Sequence, residues 1–228
     1  MRKCKICRFF DIFISLSLLL LGSPLSVLII VLLKFTGEGE VFFLQPRIGQ
    51  NGKIIYIIKF ATMLKNSENI GTGTVTLKDD VRILPVGKFL RRTKINETPQ
   101  LLNILIGNMS FVGPRPQTDR CFSAFPQIYQ EVILSVKPGL TGIGSIIFSD
   151  EEELLSLSSH ADALYDNEIM PYKGRLESWF IERNGAVMYF TLIFLTAWKL
   201  IFKSNRQVYR LFPQMPKPNS KLSGKLLK

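Results

Sequence analysis

The sequence has little of the chemistry that zinc enzymes and disulfide-rich proteins use. Its 228 residues contain one histidine, His160, and three cysteines, Cys4, Cys7 and Cys121. Three cysteines are too few for a disulfide framework, and a single histidine gives little support for a zinc site. With 46% hydrophobic residues the chain is not intrinsically disordered, and its length suits one medium domain with appended segments.

Acidic residues are absent from both ends of the chain. Residues 199–228 contain eight Lys or Arg and no Asp or Glu, which supplies eight of the eleven net positive charges. The first ten residues add four basic residues and no acid. Basic ends of this kind bind nucleic acid or an anionic membrane surface, and charge alone does not distinguish between these two partners. The apolar segments beside both ends favour the membrane, and no aromatic-basic motif supports nucleic acid.

Charge is also missing from 22 successive residues, 12–33. As a helix this stretch could cross a hydrocarbon core of about 30 Å, and it is too long for the apolar part of a signal peptide. Ser23-Pro24 lies near its middle, where proline interrupts helical hydrogen bonding and serine can cap the freed backbone. Because both flanks are basic, we favour a re-entrant helix-break-helix hairpin over a straight span or a buried core helix.

The remaining pattern predicts an α+β fold that is mainly helical. Apolar runs at 41–44 and 54–58 flank Asn51-Gly52 and predict a small β-hairpin. Residues 86–92 and 97–106 predict helices, 66–80 a loop, and 185–198 a core or interfacial helix. We expect a basic N-terminus and membrane hairpin over 1–36, a cytoplasmic catalytic domain over 37–204, and a disordered basic tail over 205–228.

Several basic residues between the two apolar runs suit a diphosphate substrate, because arginine forks bind phosphate through two hydrogen bonds. A solvated basic face would have the same composition. They are Lys59, Arg82, Arg91, Arg92, Lys94, Arg115 and Lys137. Asn96-Glu97 at the start of a predicted helix places a carboxylate where helix amides and Mg²⁺ could meet it. The alternative is that Asn96 only caps that helix.

Local motifs give the chain a family resemblance. The most specific are the MSFVGPRP loop at 109–116 and the PGLTG loop at 138–142. Further matching segments are 8–11, 23–24, 41–49, 58–63, 90–93, 96–103 and 107–108. The chain resembles the bacterial sugar transferases that are monotopic polyprenyl-phosphate phosphoglycosyl transferases.

That resemblance implies transfer of a sugar phosphate from a UDP-sugar to polyprenyl phosphate, usually undecaprenyl phosphate, with Mg²⁺ and release of UMP. The reaction begins a surface glycan at the cytoplasmic face of the bacterial inner membrane. Expected partners are therefore the UDP-sugar, polyprenyl phosphate, anionic lipids and, in a homo-oligomer, further copies of the chain. Nucleic acid is not among them.

The basic residues and the resemblance together define the expected site. Lys59, Arg91, Arg92, Arg115 and Lys137 would bind phosphate, and Glu97 and Asn96 would be the catalytic and Mg²⁺-binding residues. Relatives have an Asp-Glu pair whose Asp attacks the β-phosphate, whereas this chain has Asn96, and a neutral amide is a poor nucleophile. Glu97 could attack instead, or the acceptor phosphate could attack directly. Otherwise the chain is an inactive relative that binds lipid or partners as a scaffold.

Overall fold

A computed structural model describes residues 5–69, 80–202 and 204–226. Within these ranges the chain is mainly helical with two small sheets, which confirms the predicted α+β class. The strands are β1 Phe42–Ile48, β2 Ile54–Phe60, β3 Ser110–Val112 and β4 Gly139–Thr141. The α-helices, α1 to α12 in chain order, are Lys5–Phe35, Pro85–Arg92, Gln100–Ile106, Asp119–Ser123, Gln127–Leu134, Ile143–Ile147, Glu151–Ser156, Ala161–Leu164, Met170–Glu182, Ala186–Phe202, Arg206–Leu211 and Ser220–Leu226.

The long apolar helix α1 continues through Ser23 and Pro24, where we expected a break. Pro24 has no N–H with which to bond the carbonyl of Leu20, four residues earlier. The Ser23 hydroxyl donates to that carbonyl at 2.8 Å. The serine therefore caps the freed backbone, as predicted, and the segment stays helical across the proline.

Both ends of α1 pack on the same folded body, while its middle is exposed. Near the start, the buried Asp11 carboxylate accepts hydrogen bonds from the Phe111 amide at 2.9 Å and the Tyr189 hydroxyl at 2.8 Å. Near the end, Ile29 and Leu33 are buried against β2 and α2. The leucines and valines between these two contacts lie largely on the surface.

The predicted hairpin is confirmed. Strands β1 and β2 pair antiparallel, with Ile48 opposite Ile54 at the turn. Asn51 and Gly52 both have positive φ, 58° and 74°. Asparagine and glycine adopt this left-handed conformation more readily than other residues, which explains why Asn-Gly forms the turn.

The main core lies between the helices that follow the hairpin. It includes Ile104 of α3, Ile143 of α6, Leu176 of α9 and Leu192 of α10, each fully buried. Helix α10 confirms the helix predicted at 185–198, and it also carries apolar residues such as Phe194 on its exposed side. A helix that is apolar on both faces suits a position between the core and a membrane interface.

Two further expectations differ from the structure. The helix expected at 97–106 begins only at Gln100, and a separate 3-10 turn, Ile95–Glu97, precedes it. The tail, expected to be disordered, contains α11 and α12, because Val208, Met215 and Leu222 fit into the core. The predicted helix at 86–92 is confirmed as α2. Most of the loop predicted at 66–80 lies outside the described residues.

Candidate active site

The centre of the candidate site is an ion pair between Glu97 and Arg115. Glu97 ends the 3-10 turn before α3, and Arg115 lies in the loop after β3. One guanidinium nitrogen of Arg115, Nη1, donates to Glu97 Oε2 at 3.3 Å, and Nη2 bonds Oε1. Both oxygens of the carboxylate are therefore engaged by one arginine fork, the geometry that guanidinium groups also offer to phosphate.

Lys59 of β2 supplies the second cation of the site. Its Nζ lies 3.4 Å from Gln45 Oε1 on β1, and Arg47 donates to the same oxygen. Gln45 is buried, and Lys59 is half-buried. The hairpin register places Gln45, Arg47 and Lys59 on one face of the sheet, since side chains alternate along each strand.

The electrostatics of the site follow from this crowding of charges. Burial, followed by the nearby guanidinium of Arg47, lowers the pKa of Lys59 to about 7, and Glu97 opposes the shift. Burial alone would raise the pKa of Glu97, but Arg115 and Lys59 outweigh burial and hold that pKa well below its usual range. Glu97 is therefore ionised at neutral pH, whereas Lys59 titrates there.

The structure brings four of the residues expected at the site into one region: Lys59, Arg91, Glu97 and Arg115. Arg91 of α2 acts electrostatically on Lys59 and also pairs with Glu152 at 2.6 Å. Asn96 adjoins this cluster, but its side chain is buried. Its Oδ1 has no hydrogen-bond partner among the described residues. Pro99, not Asn96, occupies the cap position of α3, so the interpretation of Asn96 as that cap is wrong.

Other basic residues of the expected set lie elsewhere. Lys137 Nζ lies beside Gly107, 3.4 Å from the position that a Cβ on Gly107 would occupy. Gly107 caps the C-terminal end of α3, whereas Glu97 lies before the N-terminal end. Arg92 is exposed on α2. Arg82 is buried and bonds Asp80 and the Ser67 carbonyl, which makes it a structural residue of the loop.

Close backbone contact fixes the loop that carries Arg115. The Gly113 amide donates to the Thr141 carbonyl at 2.9 Å, and the Gly139 amide donates to the Pro114 carbonyl at 2.8 Å. A Cβ on Gly139 would lie 2.1 Å from the Gly113 nitrogen, which no side chain could tolerate. The two motif loops at 109–116 and 138–142 are thus one packed unit, and their glycines are required for that packing.

Glu177 of α9 lies beneath this unit. Its Oε1 accepts the amide hydrogen of Gly144 at 3.2 Å, at the beginning of α6. Burial raises the pKa of Glu177 to about 7, although the Gly144 bond and Lys173 both oppose the shift. The second oxygen, Oε2, has no partner among the described residues. The carboxyl group thus holds the end of the PGLTG loop and titrates near neutral pH.

Sequence reasoning did not identify Gln45, Arg47 or Asn103 as site residues. Gln45 and Arg47 could have been found, because the hairpin register places them on the face that carries Lys59. Asn103 bonds the backbone of β2 through both atoms of its amide. This contact depends on how α3 packs against the hairpin, and no local sequence pattern predicts it.

The site can be tested against the chemistry of a magnesium ion. Glu97 supplies a carboxylate, and the partnerless Asn96 Oδ1 is the type of hard oxygen that Mg²⁺ also accepts. No group of three or more metal-binding side chains lies within the described ranges. Because Mg²⁺ commonly takes only one or two protein carboxylates plus substrate phosphates, the two residues fit such an ion in chemical type.

Comparisons with known proteins agree with this chemistry. The sequence pattern of the family described as bacterial sugar transferase matches residues 2–203. A UDP-glucose:undecaprenyl-phosphate glucose-1-phosphate transferase of Klebsiella pneumoniae is 40% identical over 143 residues, which are 61% of this chain and 30% of that protein. The exopolysaccharide production protein PSS of Rhizobium leguminosarum is 39% identical over 145 residues, 61% of this chain and 72% of that protein.

A third relative acts on a different sugar. The UDP-N-acetylgalactosamine-undecaprenyl-phosphate N-acetylgalactosaminephosphotransferase of Aeromonas hydrophila is 35% identical over 145 residues, 61% of this chain and 33% of that protein. The similarity therefore spans about a third of the length of the Klebsiella and Aeromonas proteins. Since the names of these relatives differ in the sugar, the similarity alone does not identify the sugar donor of this chain.

Proposed function

The chain belongs to the bacterial sugar transferase family, and on that premise we propose that it transfers a sugar 1-phosphate from a UDP-sugar to polyprenyl phosphate. The acceptor is undecaprenyl phosphate, UMP is released, and the product begins a surface polysaccharide or glycoconjugate. The relatives from Klebsiella and Aeromonas carry this chemistry in their names.

One observation carries the proposal: the cationic cluster adjoins the end of the apolar helix. Phe60 and Leu90 pack with Ile29 and Leu33 of α1, and their chain neighbours are Lys59 and Arg91. A phosphate held by these cations would lie close to where α1 meets the folded body. A lipid phosphate and a soluble nucleotide diphosphate could meet there, because one comes from the membrane and the other from water.

The residues of the site have different roles according to their charge. Arg115 and Lys59 bind and orient the diphosphate, and Arg91 adds a further cation at the edge of the site. Gln45 holds Arg47 and Lys59 in place through one oxygen. Glu97 positions Arg115. Glu97 and Asn96 would hold Mg²⁺, which when bound neutralises charge on the substrate phosphates. Arg92 and Lys137 lie outside this group and would contribute to long-range attraction of anions.

The chain would lie at the cytoplasmic face of the bacterial inner membrane. Both ends of α1 contact one folded body. If the helix crossed the bilayer, its two ends would lie on opposite sides and one of these contacts would be lost. We propose that both ends of α1 lie at this same face, with the exposed apolar middle of the continuous helix in the membrane, and with the exposed apolar side of α10 and the basic C-terminal region against anionic lipid. Residues 37–204 would then be the catalytic portion.

UMP release from the full-length chain in lipid nanodiscs tests the transfer. We expect UMP only when a UDP-sugar, undecaprenyl phosphate and MgCl₂ are all present, and none after addition of EDTA. Arg115→Gln should lower the rate at least about 100-fold, since loss of one charge-stabilising donor commonly has that effect. Lys88→Gln, at an exposed cation of α2, is the control and should retain near wild-type activity. No UMP from any UDP-sugar would leave only the scaffold alternative.

The membrane topology has its own test. In a variant without native cysteines, single cysteines replace Ile6 or Phe35, both well exposed at the two ends of α1. A membrane-impermeant maleimide should label both positions in inverted membrane vesicles and neither in intact cells. Labelling of one position on each side would show a helix that crosses the bilayer and would contradict the proposed topology.

A further inference from the structure

We infer that Phe43 of β1 binds the first isoprene units of the polyprenyl phosphate acceptor and thereby contributes to the selection of a lipid phosphate at this site. The inference rests on the proposed function and deepens it. It follows from the position of one exposed aromatic side chain, which lies between the phosphate-binding cations and the apolar surface of α1.

The hairpin register places Phe43 on the face that carries the cations of the site. Phe43 lies directly opposite Lys59. Because side chains two residues apart share a face of a strand, Phe43, Gln45 and Arg47 form one row along β1. Directly opposite residues of an antiparallel pair have Cβ atoms about 4.5 to 5.5 Å apart. The phenyl ring is therefore an immediate neighbour of the lysine whose Nζ contacts Gln45.

Phe43 is exposed, whereas the next pair of residues on this face is buried. Gln45 and Ile57, which lie opposite each other, are both covered by protein. Phe43 keeps 37% of its surface accessible. Single exposed apolar side chains are common on protein surfaces, so exposure alone indicates no ligand. It is the position of the ring beside a phosphate-binding cation that indicates a ligand with an apolar group next to its phosphate.

Phe43 also lies at the end of the hairpin that α1 contacts. Phe42, the preceding residue, stacks on Phe60 with the ring centroids 5.5 Å apart. Phe60 belongs to one buried cluster with Leu33, near the end of α1, and Phe35 at that end is exposed. An apolar chain that leaves the membrane beside the end of α1 would therefore meet the ring of Phe43 as its phosphate reaches the cations.

The two substrates differ in the group that adjoins the phosphate. In polyprenyl phosphate a hydrocarbon chain is attached directly to a phosphate oxygen. In a UDP-sugar the diphosphate is flanked by the sugar and the ribose, whose hydroxyls lose hydrogen bonds with water against an apolar ring. The uracil ring is separated from the β-phosphorus by the ribose and the α-phosphate. A phenyl ring next to Lys59 therefore suits the acceptor, because it buries apolar surface of the isoprene units.

The kinetics of UMP release from the full-length chain in nanodiscs test this inference. We expect Phe43→Ala to raise the KM for undecaprenyl phosphate, expressed as its mole fraction in the lipid, at least about fivefold through the lost apolar contact. The KM for the UDP-sugar should not change. Phe43→Leu keeps an apolar side chain and should restore most of the affinity for the acceptor. Leu44→Ala is the matched control, since Leu44 is 57% exposed on the opposite face of the same strand.

Three kinetic outcomes would overturn the inference. An unchanged KM for undecaprenyl phosphate in Phe43→Ala would show that the ring does not bind the acceptor. A rise in the KM for the UDP-sugar would place the ring against the donor. Equal effects of Phe43→Ala and Leu44→Ala on the acceptor would reduce the contribution of Phe43 to the general apolar character of the hairpin.

Photocrosslinking gives a readout that needs no turnover. The photoreactive residue p-benzoylphenylalanine replaces Phe43 or, as the control, Leu44 in nanodiscs that contain undecaprenyl phosphate. We expect a mass adduct of undecaprenyl phosphate at position 43 and none at position 44. Excess farnesyl phosphate should suppress the adduct, whereas farnesol, which lacks the phosphate, should not. Adducts with phospholipid alone would overturn the inference. If the adduct forms but the complete mixture releases no UMP, the proposed transfer fails while the binding of a lipid phosphate at Phe43 stands.

Discussion

The Oδ1 atom of Asn103 accepts the amide hydrogen of Ile58 at 3.0 Å, and its Nδ2 donates to the Tyr56 carbonyl at 2.7 Å. Through these two bonds one buried side chain of α3 holds the main chain of β2. Glu97 lies just before α3, and Lys59 follows Ile58 on β2. Asn103 thereby sets the separation of the two charged groups at the centre of the site.

We predict that Asn103→Leu destabilises the fold and weakens catalysis together. Leucine removes both hydrogen bonds and leaves two backbone groups of β2 without them, a loss of about 2 to 4 kcal/mol. The measurement is urea unfolding in detergent, combined with kcat/KM for UMP release. Ile106→Ala, at an exposed position of the same helix, should change neither. Equal stability of Asn103→Leu and wild type would show that the amide does not hold β2.

Gly139 should tolerate no side chain. A Cβ there would lie 2.1 Å from the backbone nitrogen of Gly113, and backbone cannot move aside as a flexible side chain can. We expect Gly139→Ala to lower the free energy of unfolding by at least about 3 kcal/mol, or to prevent folding. Gly185→Ala is the matched control, since a Cβ added at Gly185 would have no heavy atom within 4 Å outside its own chain neighbours. Similar unfolding curves for the two variants would contradict the packing of the two loops.

Local rules predicted the parts of the fold that depend on neighbours in sequence. The hairpin followed from Asn51-Gly52 between two β-rich runs, and the structure gives both residues the positive φ that this turn needs. The cap at Ser23 followed from its position before Pro24. In both cases the decisive contact lies within four residues, so the sequence alone contains it.

The remaining features depend on contacts between distant segments. Glu97 and Arg115 are 18 residues apart, and they meet because the Gly113 and Gly139 loops pack backbone to backbone. The tail is ordered because Leu222 is buried in the core, and the amino-acid composition of the tail does not predict this packing. The basic residues suggested phosphate binding. Only the packing of the fold distinguishes Lys59 and Arg115, which lie at the candidate site, from Arg82, which pairs with Asp80.

The affinity for the UDP-sugar should depend on pH through Lys59. Burial lowers the pKa of Lys59 to about 7, so its positive charge is lost as pH rises above neutrality. We expect the KM for the UDP-sugar to rise by up to about tenfold per pH unit above pH 7. In Lys59→Arg the rise should be absent, because arginine stays charged. Initial rates between pH 6 and 9 measure this, and the same pH profile in both proteins would exclude Lys59 as its cause.

Glu177 should make stability fall as pH rises. Its pKa is raised to about 7 in the folded protein by burial, so between the unfolded value near 4.5 and 7 the folded state binds the extra proton. The free energy of unfolding should therefore decrease by about 3 kcal/mol across this range and then level off. Glu177→Gln keeps an acceptor for Gly144 and should remove this part of the dependence. Glu182→Gln, at an exposed site of the same helix, should keep it.

The Ser23 hydroxyl should matter only while Pro24 is present. In wild type it is the donor to the Leu20 carbonyl, which has lost its helical partner to the proline. Ser23→Ala leaves that carbonyl without a donor in an apolar setting and should lower the free energy of unfolding by about 1 to 3 kcal/mol. In a Pro24→Ala background the backbone amide restored at position 24 can bond Leu20, so the same serine change should have almost no effect. A double-mutant cycle in nanodiscs measures the difference. Equal losses in the two backgrounds would mean that the serine does not cap the proline site.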